Sequence, residues 1–371
     1  MRLRHASTLL PALLALAVAG CQPEEADRTK VTVMTRNLYL GTDLTPIFDP
    51  TQPAETLPLR VEEAWANVVA TDFATRAMLL AGEIAAVDPD LVGLQEVSLW
   101  YSGPCADPPY CTALATTVEY DFLALLLAAL DDLGASYEAA ASVDNFGAQL
   151  PSTGDGVSWT ARRYQDRDVI LRRTGFATSN PQGGNFSIGL PITVAGQDVV
   201  VTRGWVSVDV ERDGVMFRFA NAHLEAYNLP EGNGLGPDGS DLPPDSIRAG
   251  QAVELIDLVT GPFPVILVGD MNSDPADPTE RAYQALVIGA GYFDVWQQMA
   301  LAGAGPGLSC CYDALVSDPD AALYNRIDLV LVRAPFELEA AAVLGTTFDE
   351  ASGFWPSDHA GVFATVAIEE L

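Results

Sequence analysis

The sequence predicts one α/β domain carrying two sheets, and three observations point there. Val265-Ile266-Leu267-Val268 is a short apolar run, three of its four residues β-branched, and it turns abruptly polar at Gly269-Asp270-Met271-Asn272-Ser273. That is the signature of a fully buried strand delivering polar side chains at its carboxyl end, where α/β sheets open their ligand crevices. Stretches of helical periodicity alternate with such apolar runs along the whole chain, with no internal repeat and no shift of composition to mark a second domain. At 371 residues the chain is also long enough to bury a large core.

The first twenty residues stand outside that domain. Arg2, Arg4 and His5 give a basic start, Leu9 to Ala19 is an apolar run too short to span a bilayer, and Ala19-Gly20 offer small residues for cleavage. Residues 1–20 therefore read as a signal peptide. Val18-Ala19-Gly20-Cys21 resembles a bacterial lipobox, which makes Cys21 the lipidated residue, 21–30 a lipidated tether and 31–371 the folded domain. The expected location is the cell envelope or the extracellular space, with a lipid anchor in the membrane at Cys21.

Within the domain, Val31 to Thr35 alternates and is β-branched, a first strand that ends at Asn37. Arg60 to Val87 carries apolar residues at helical spacing and reads as one or two helices. Asp88-Pro89-Asp90 ends them, and Leu91-Val92-Gly93-Leu94 is a second buried strand closing at Gln95-Glu96. Ser98 to Tyr110 reads as a Pro- and Cys-bearing loop, and Thr117 to Leu133 as a helix closed by Gly134. Strands are expected at Tyr137 to Ala140, Asp168 to Leu171 and Val199 to Thr202. Val206 to Val210 and Met216 to Ala222 flank the hairpin signal Arg212-Asp213-Gly214. Asn228 to Asp245 reads as a long loop, Ser246 as the cap of a helix through Leu258, and Thr279 to Ile288 as a further helix. Strands at Ile327 to Val332 and Val362 to Ala367 complete the pattern.

Charge and cysteines bound the function. The net charge of -31, with Lys30 the only lysine, repels polyanions and disfavours nucleic acid as a partner. Arg162, Arg163, Arg167, Arg172 and Arg173 form a local exception, either a solvated face paired with surplus acids or a place where one arginine, Arg172 the candidate, meets a phosphate. Cys105, Cys111, Cys310 and Cys311 are an even set in an exported chain. A local 105–111 bridge and a cross-link from 310 or 311 to that loop are both compatible with the spacing.

Past the leader only His223 and His359 remain, each near a strand end and beside hydrogen-bonding residues. Histidine handles protons near neutral pH, and a carboxylate on its second nitrogen fixes tautomer and basicity. Asp328 opens an apolar run, so its carboxylate needs a partner, either Arg326 or His359. Asn37, Glu96 and Asp358 are hard oxygen donors of the kind that suit Mg²⁺ or Mn²⁺.

In order, Thr35-Arg36-Asn37-Leu38, Leu94-Gln95-Glu96-Val97, Asn221-Ala222-His223-Leu224, Gly269-Asp270-Met271-Asn272-Ser273, Arg326-Ile327-Asp328 and Ser357-Asp358-His359 resemble the motifs of the endonuclease/exonuclease/phosphatase superfamily of metal-dependent phosphoesterases. The resemblance runs from about Val31 to the C-terminus. It implies a four-layer α/β sandwich, two mostly antiparallel sheets packed face to face with helices outside. It further implies a catalytic domain over 31–371 that uses Mg²⁺ or Mn²⁺ held by Glu96, with Asn37 and Asp358 nearby. Asp270 would activate water and Asn272 would hold it and the phosphate. His359, oriented by Asp328, would steady phosphoryl oxygens or act in proton transfer, and His223 would contact the scissile phosphate or act as general acid. Asp168 is a further candidate in the looser middle segment. The implied partner is a phosphoester, a phospholipid head group, small phosphodiester or extracellular nucleic acid, and no protein partner is implied. The alternative is a non-catalytic, surface-anchored binding lipoprotein on the same scaffold.

Overall fold

The computed structural model describes residues 28–194, 196–227 and 245–369. Residues 1–20, Cys21 and the segment 228–244 that forms most of the expected long loop lie outside the described residues. Among the described residues, sixteen strands and seven α-helices follow in the order β1 (Arg28–Asn37), α1 (Thr45–Phe48), α2 (Leu57–Ala70), α3 (Phe73–Val87), β2 (Leu91–Gln95), β3 (Leu99–Pro104), β4 (Thr117–Asp121), α4 (Phe122–Asp132), β5 (Tyr137–Ser152) and β6 (Thr160–Arg173). Then come β7 (Ser179–Asn185), β8 (Leu190–Val194), β9 (Gln197–Val201), β10 (Gly204–Arg212), β11 (Val215–His223), α5 (Ser246–Val259), β12 (Val265–Asp270), α6 (Arg281–Gln284), β13 (Phe293–Asp294), α7 (Val295–Leu301), β14 (Asp328–Arg333), β15 (Phe336–Leu344) and β16 (Gly361–Glu369). Among the described residues no helix is long and apolar enough to cross a membrane.

Two large sheets form the centre. The first runs β15-β16-β1-β2-β6-β3-β4 with β5 paired to β6, the second β13-β14-β12-β11-β10-β7, and β8-β9 is a separate ribbon. Most pairs are antiparallel, but β1–β2 and β11–β12 are parallel. Between the sheets lies one apolar layer of Val31, Val33, Leu91, Val206, Phe217, Ile266, Val268 and Val330. On the outer face of the first sheet, α3 and α4 bring Phe73, Leu80, Ile84 and Leu126 onto Met34, Val92 and Leu94. On the outer face of the second, α5 and α6 bring Leu255, Val259 and Tyr283 onto Leu267 and Leu331. Helices, sheet, sheet, helices are the four expected layers. All four side chains of Val265–Val268 are fully buried, each contributing roughly 1.5–3 kcal/mol.

The sheets approach closely where they hold the site. A Cβ on Gly93 would come within 2.5 Å of Val268 Cγ2 and 2.7 Å of Asn221 Oδ1, so only glycine fits. Across this contact Gln95 Nε2 donates to Asn221 Oδ1 at 2.6 Å, and Asn221 Nδ2 returns to Leu94 O at 2.9 Å. The polar pair stitches the layers with its buried groups satisfied.

Several elements differ from the sequence expectations. The first strand begins by Arg28, pairing with Glu369, rather than at Val31. The loop expected over Ser98 to Tyr110 contains β3, and the helix expected from Thr117 starts only at Phe122. Thr117-Val118-Glu119-Tyr120 alternates and pairs with β3, and Asp121 caps α4 by accepting Ala124 N–H at 3.3 Å. Ser246 is the first helical residue of α5 and not its cap; that position belongs to Asp245, whose carboxylate accepts Arg281 N–H at 2.9 Å instead. Cys105 bridges to Cys111 and Cys310 to its neighbour Cys311, so no cross-link joins the two regions.

Candidate active site

The two parallel strand pairs set the frame. Asn37 and Glu96 follow one another at the carboxyl ends of β1 and β2, where Asn37 registers with Gln95. His223 registers with Asp270 at the ends of β11 and β12, and Asp270 registers in turn with Asp328 at the start of β14. Because both sheets end their parallel pairs at the same place, side chains distant in sequence converge.

Asp270 is the hub. Its Oδ1 accepts Asn272 N–H at 3.0 Å, and its Oδ2 accepts Asn37 Nδ2 at 3.1 Å. The same Oδ2 stands 3.6 Å from His223 Nε2 and 3.8 Å from His359 Nε2. Asn37 reaches across to Glu96 as well, donating to Oε1 at 3.2 Å, while its side-chain Oδ1 accepts Tyr39 N–H at 2.9 Å. Glu96, in a left-handed backbone conformation at φ 55°, is held by Leu40 N–H at 2.6 Å. Asn272, also left-handed at φ 47°, ties its amide to Leu224 O at 2.9 Å.

Asp328 takes the histidine and not the arginine. Its Oδ2 lies 2.8 Å from His359 Nδ1, whereas Arg326 pairs with Asp294 at 2.7 Å. That fixes His359 with Nε2 toward Asp270 and, at 3.9 Å, Asp358. Ser357 Oγ braces the turn, donating to Asn37 O at 2.8 Å and accepting His359 N–H at 3.1 Å. Beneath it a buried arginine, Arg76, donates to Leu38 O at 2.7 Å and Pro356 O at 3.1 Å, joining the two loops that carry Glu96's neighbours and Asp358.

The titrations follow from this packing. Burial, with the neighbouring Asp328 charge, pushes Asp270 up to about 6. Burial, with Glu96 nearby, likewise pushes Asp358 up to about 6, although His359 works the other way. Glu96 is raised by burial and by Asp166. Burial alone would lower His359, but Asp328, Asp358 and Asp270 outweigh it and hold the imidazole well above its ordinary value. His223 is held well below it by burial, Arg203 and His359.

Glu96 and Asp358 line one cleft of about 470 Å³ together with Tyr39, Asp166 and Arg203. Carboxylates crowded this way, their ionisation opposed by burial and by each other, are a donor set that a hard divalent ion would relieve, so the residues fit Mg²⁺ or Mn²⁺. Asp270, Asp328 and His359 also bring ligand atoms within 4.8 Å of one another. Asn37 differs from expectation in detail, since its amide N–H groups serve the carboxylates and its Oδ1 is engaged by Tyr39.

Arg172 does not join this cluster. It registers with Leu91, at the opposite end of β2 from Glu96, and pairs with Glu138 at 3.0 Å and Thr178 at 3.1 Å. The rest of the arginine cluster is engaged as well: Arg162 with Glu62, Arg163 over Tyr101, Arg167 with Asp121, Arg173 with Asp88 and Asp90. The cation facing the cleft is Arg203, which no motif flagged. It sits 3.4 Å from His223 Nδ1, 3.6 Å from Glu225 and 3.7 Å from Asp166. A signal was present in Arg203-Gly204 between two expected strands; a Cβ on Gly204 would meet Asn145 Oδ1 at 2.4 Å. Asp168 is fully buried beside the cleft wall, where Asn145 Nδ2 bridges it to Asp166 at 2.9 and 3.1 Å.

Residues 70–359 match the model of the Endonuclease/Exonuclease/phosphatase family. No curated protein matches the chain. Among solved structures, an endonuclease/exonuclease/phosphatase family protein from Bacteroides thetaiotaomicron is 18% identical, with 92% of this chain and 99% of that one covered at a TM-score of 0.53. A mannosyl-6-phosphatase from the same species is 18% identical over 91% of this chain and 99% of its own, TM-score 0.49. TDP2 from C. elegans is 18% identical over 91% of this chain and 75% of its own, TM-score 0.46.

Proposed function

Because this chain belongs to the endonuclease/exonuclease/phosphatase family and is thereby a hydrolase of phosphoester bonds, we propose that it hydrolyses a phosphodiester by in-line attack of water. The observation that carries the reading is the convergence of Asn37, His223 and His359 on one Asp270 oxygen, with Glu96 tied in through Asn37 and Asp328 through His359. Family members use divalent metals such as Mg²⁺, and here Glu96 and Asp358 would hold the ion. When bound it supplies charge neutralisation on the non-bridging oxygens and stabilises the leaving oxygen.

The chain's own groups supply the rest. Asp270, raised to about 6, is matched to accept a proton from the attacking water near neutral pH, and Asn272 holds that water. His359, kept cationic by Asp328, donates from Nε2 to a phosphoryl oxygen. His223, kept neutral, takes part through the nitrogen facing Asp270. Among the described residues, Arg203 adds the one guanidinium on the cleft wall, suited to a single phosphate. The same reading keeps the anchor at Cys21 and an address at the cell envelope or outside the cell, supported by the leader composition alone; Cys21→Ser is expected to shift the chain from the membrane to the soluble fraction.

The direct test is hydrolysis of bis-p-nitrophenyl phosphate with and without Mg²⁺. Turnover that needs the metal and falls by about three orders of magnitude in Asp270→Asn is expected. Turnover that does not need the metal would overturn the metal-assisted reading, and no turnover on any phosphoester would leave the non-catalytic binding lipoprotein as the better account.

A further inference from the structure

Beside the catalytic cleft lies a second, apolar pocket. Its walls include Ile47, Val61, Trp65, Trp100 and Leu150, and Leu44, Phe48, Phe146 and Tyr164 line both it and the cleft. The one charged residue among its described lining, Arg162, is already used, stacked 4.1 Å over Trp65 and 3.8 Å from Glu62. The shared wall is ordered by edge contacts, Phe48 meeting Phe146 at 6.0 Å and Tyr227 at 6.2 Å. Interiors are close-packed, so an apolar void that shares four wall side chains with a reaction cleft is unusual unless something enters it.

We infer that this pocket is a subsite for an uncharged alkyl arm of the substrate, seated while the phosphate lies in the adjoining cleft. The inference rests on the phosphodiesterase reading and names its substrate class. The volume sets the size: the pocket measures about 40 Å³, and one water needs roughly 10–15 Å³ by the same measure. That is space for about three water-sized groups, or an arm of about three or four carbons. Charge sets the polarity. Asp43, Glu96, Asp166 and Asp358 face the cleft against Arg203 alone among its described lining residues, so a second phosphate finds no counter-charge there. The occupant is therefore an uncharged alkyl ester and not the next unit of a polyanion.

The test uses the full chain with Mg²⁺ and three p-nitrophenyl phosphodiesters that share a leaving group and differ in the other arm: methyl, n-butyl and choline. Each buried methylene contributes about fourfold, so n-butyl is expected to exceed methyl in kcat/KM by about tenfold or more. Ala148→Leu fills the pocket from β5 and is expected to erase that preference while leaving the methyl ester unchanged. Calorimetry with methyl n-butyl phosphate against dimethyl phosphate reads the pocket without turnover, and tighter binding of the former is expected. Equal binding of the two, preference for the choline arm, or a butyl preference that survives Ala148→Leu overturns the inference. Loss of turnover on all three esters overturns the phosphodiesterase reading instead, with the calorimetry still deciding the pocket.

Discussion

His223 at the end of β11 and His359 in the loop before β16 reach the same Asp270 oxygen, at 3.6 and 3.8 Å, yet their surroundings drive them in opposite directions. Both are buried, which by itself disfavours the charged imidazole. The difference lies on the far nitrogen. His359 Nδ1 meets the Asp328 carboxylate, and His223 Nδ1 meets the Arg203 guanidinium. One carboxylate is thus flanked by a cation and a neutral ring. Titratable neighbours pushed apart in this way mark out acid and base roles, and the pair is assigned by its second partners more than by the residue type.

The largest expected effect comes from breaking the His359 side. Asp328→Asn removes the carboxylate that holds the ring charged and leaves an amide that fits its place. A loss of about a hundredfold in kcat is expected, with the His359 imidazole resonance of the metal-free protein titrating lower than in the wild type. Only three histidines occur, His5, His223 and His359, so a His359→Ala control assigns the resonance directly. If His359 titrates as before, Asp328 is packing and the contrast with His223 has another origin.

A smaller effect is expected on the other side. Arg203→Gln removes the cation facing His223 and also leaves Glu225 and Asp166 without their counter-charge. We expect the His223 pKa to rise, kcat/KM to fall by about tenfold and the melting temperature to drop. A His223 titration that does not move would mean that burial alone keeps the ring neutral, which would sharpen the comparison to a single cause. Glu96→Ala addresses the oxygen side of the same frame: the rise in melting temperature on adding Mg²⁺ is expected to disappear.

The same comparison explains what could be read from the sequence. Asn37, Glu96, His223, Asp270 and Asp328 each stand where an apolar run turns polar, a pattern visible without coordinates because burial dictates the run. Arg203 stands between two runs and owes its place to the close approach at Gly204, which involves Asn145 and Gly184 from other strands. The five arginines around β6 show the converse. They are close in sequence, but a strand sends successive side chains to opposite faces, and each finds its own partner. One missed strand shows the weakness: β7 is Ser179-Asn180-Pro181-Gln182-Gly183-Gly184-Asn185, largely exposed and without apolar alternation, and it is held to β10 by its backbone ladder and by polar side chains, Ser179 and Asn180 on Asp209. Its edge position removes the burial that writes a strand into sequence.

The smallest effect tests the carboxylates between the two rings. Asp270 and Asp358 both rise to about 6 from an ordinary 3.8, so the folded chain holds these protons more tightly than the unfolded one. Such groups contribute stability that is complete below about pH 4 and is lost as pH rises through about 6. For the metal-free protein, Asp358→Asn removes one of them, so the difference in melting temperature between variant and wild type is expected to move in the variant's favour from pH 4 to pH 7. Mg²⁺ should reverse that trend, because it binds the ionised carboxylate that only the wild type has. A difference that stays constant with pH would mean that Asp358 already finds enough compensation from His359 and Arg76 to ionise as an exposed aspartate does, and the cleft would then hold its charge without needing an ion.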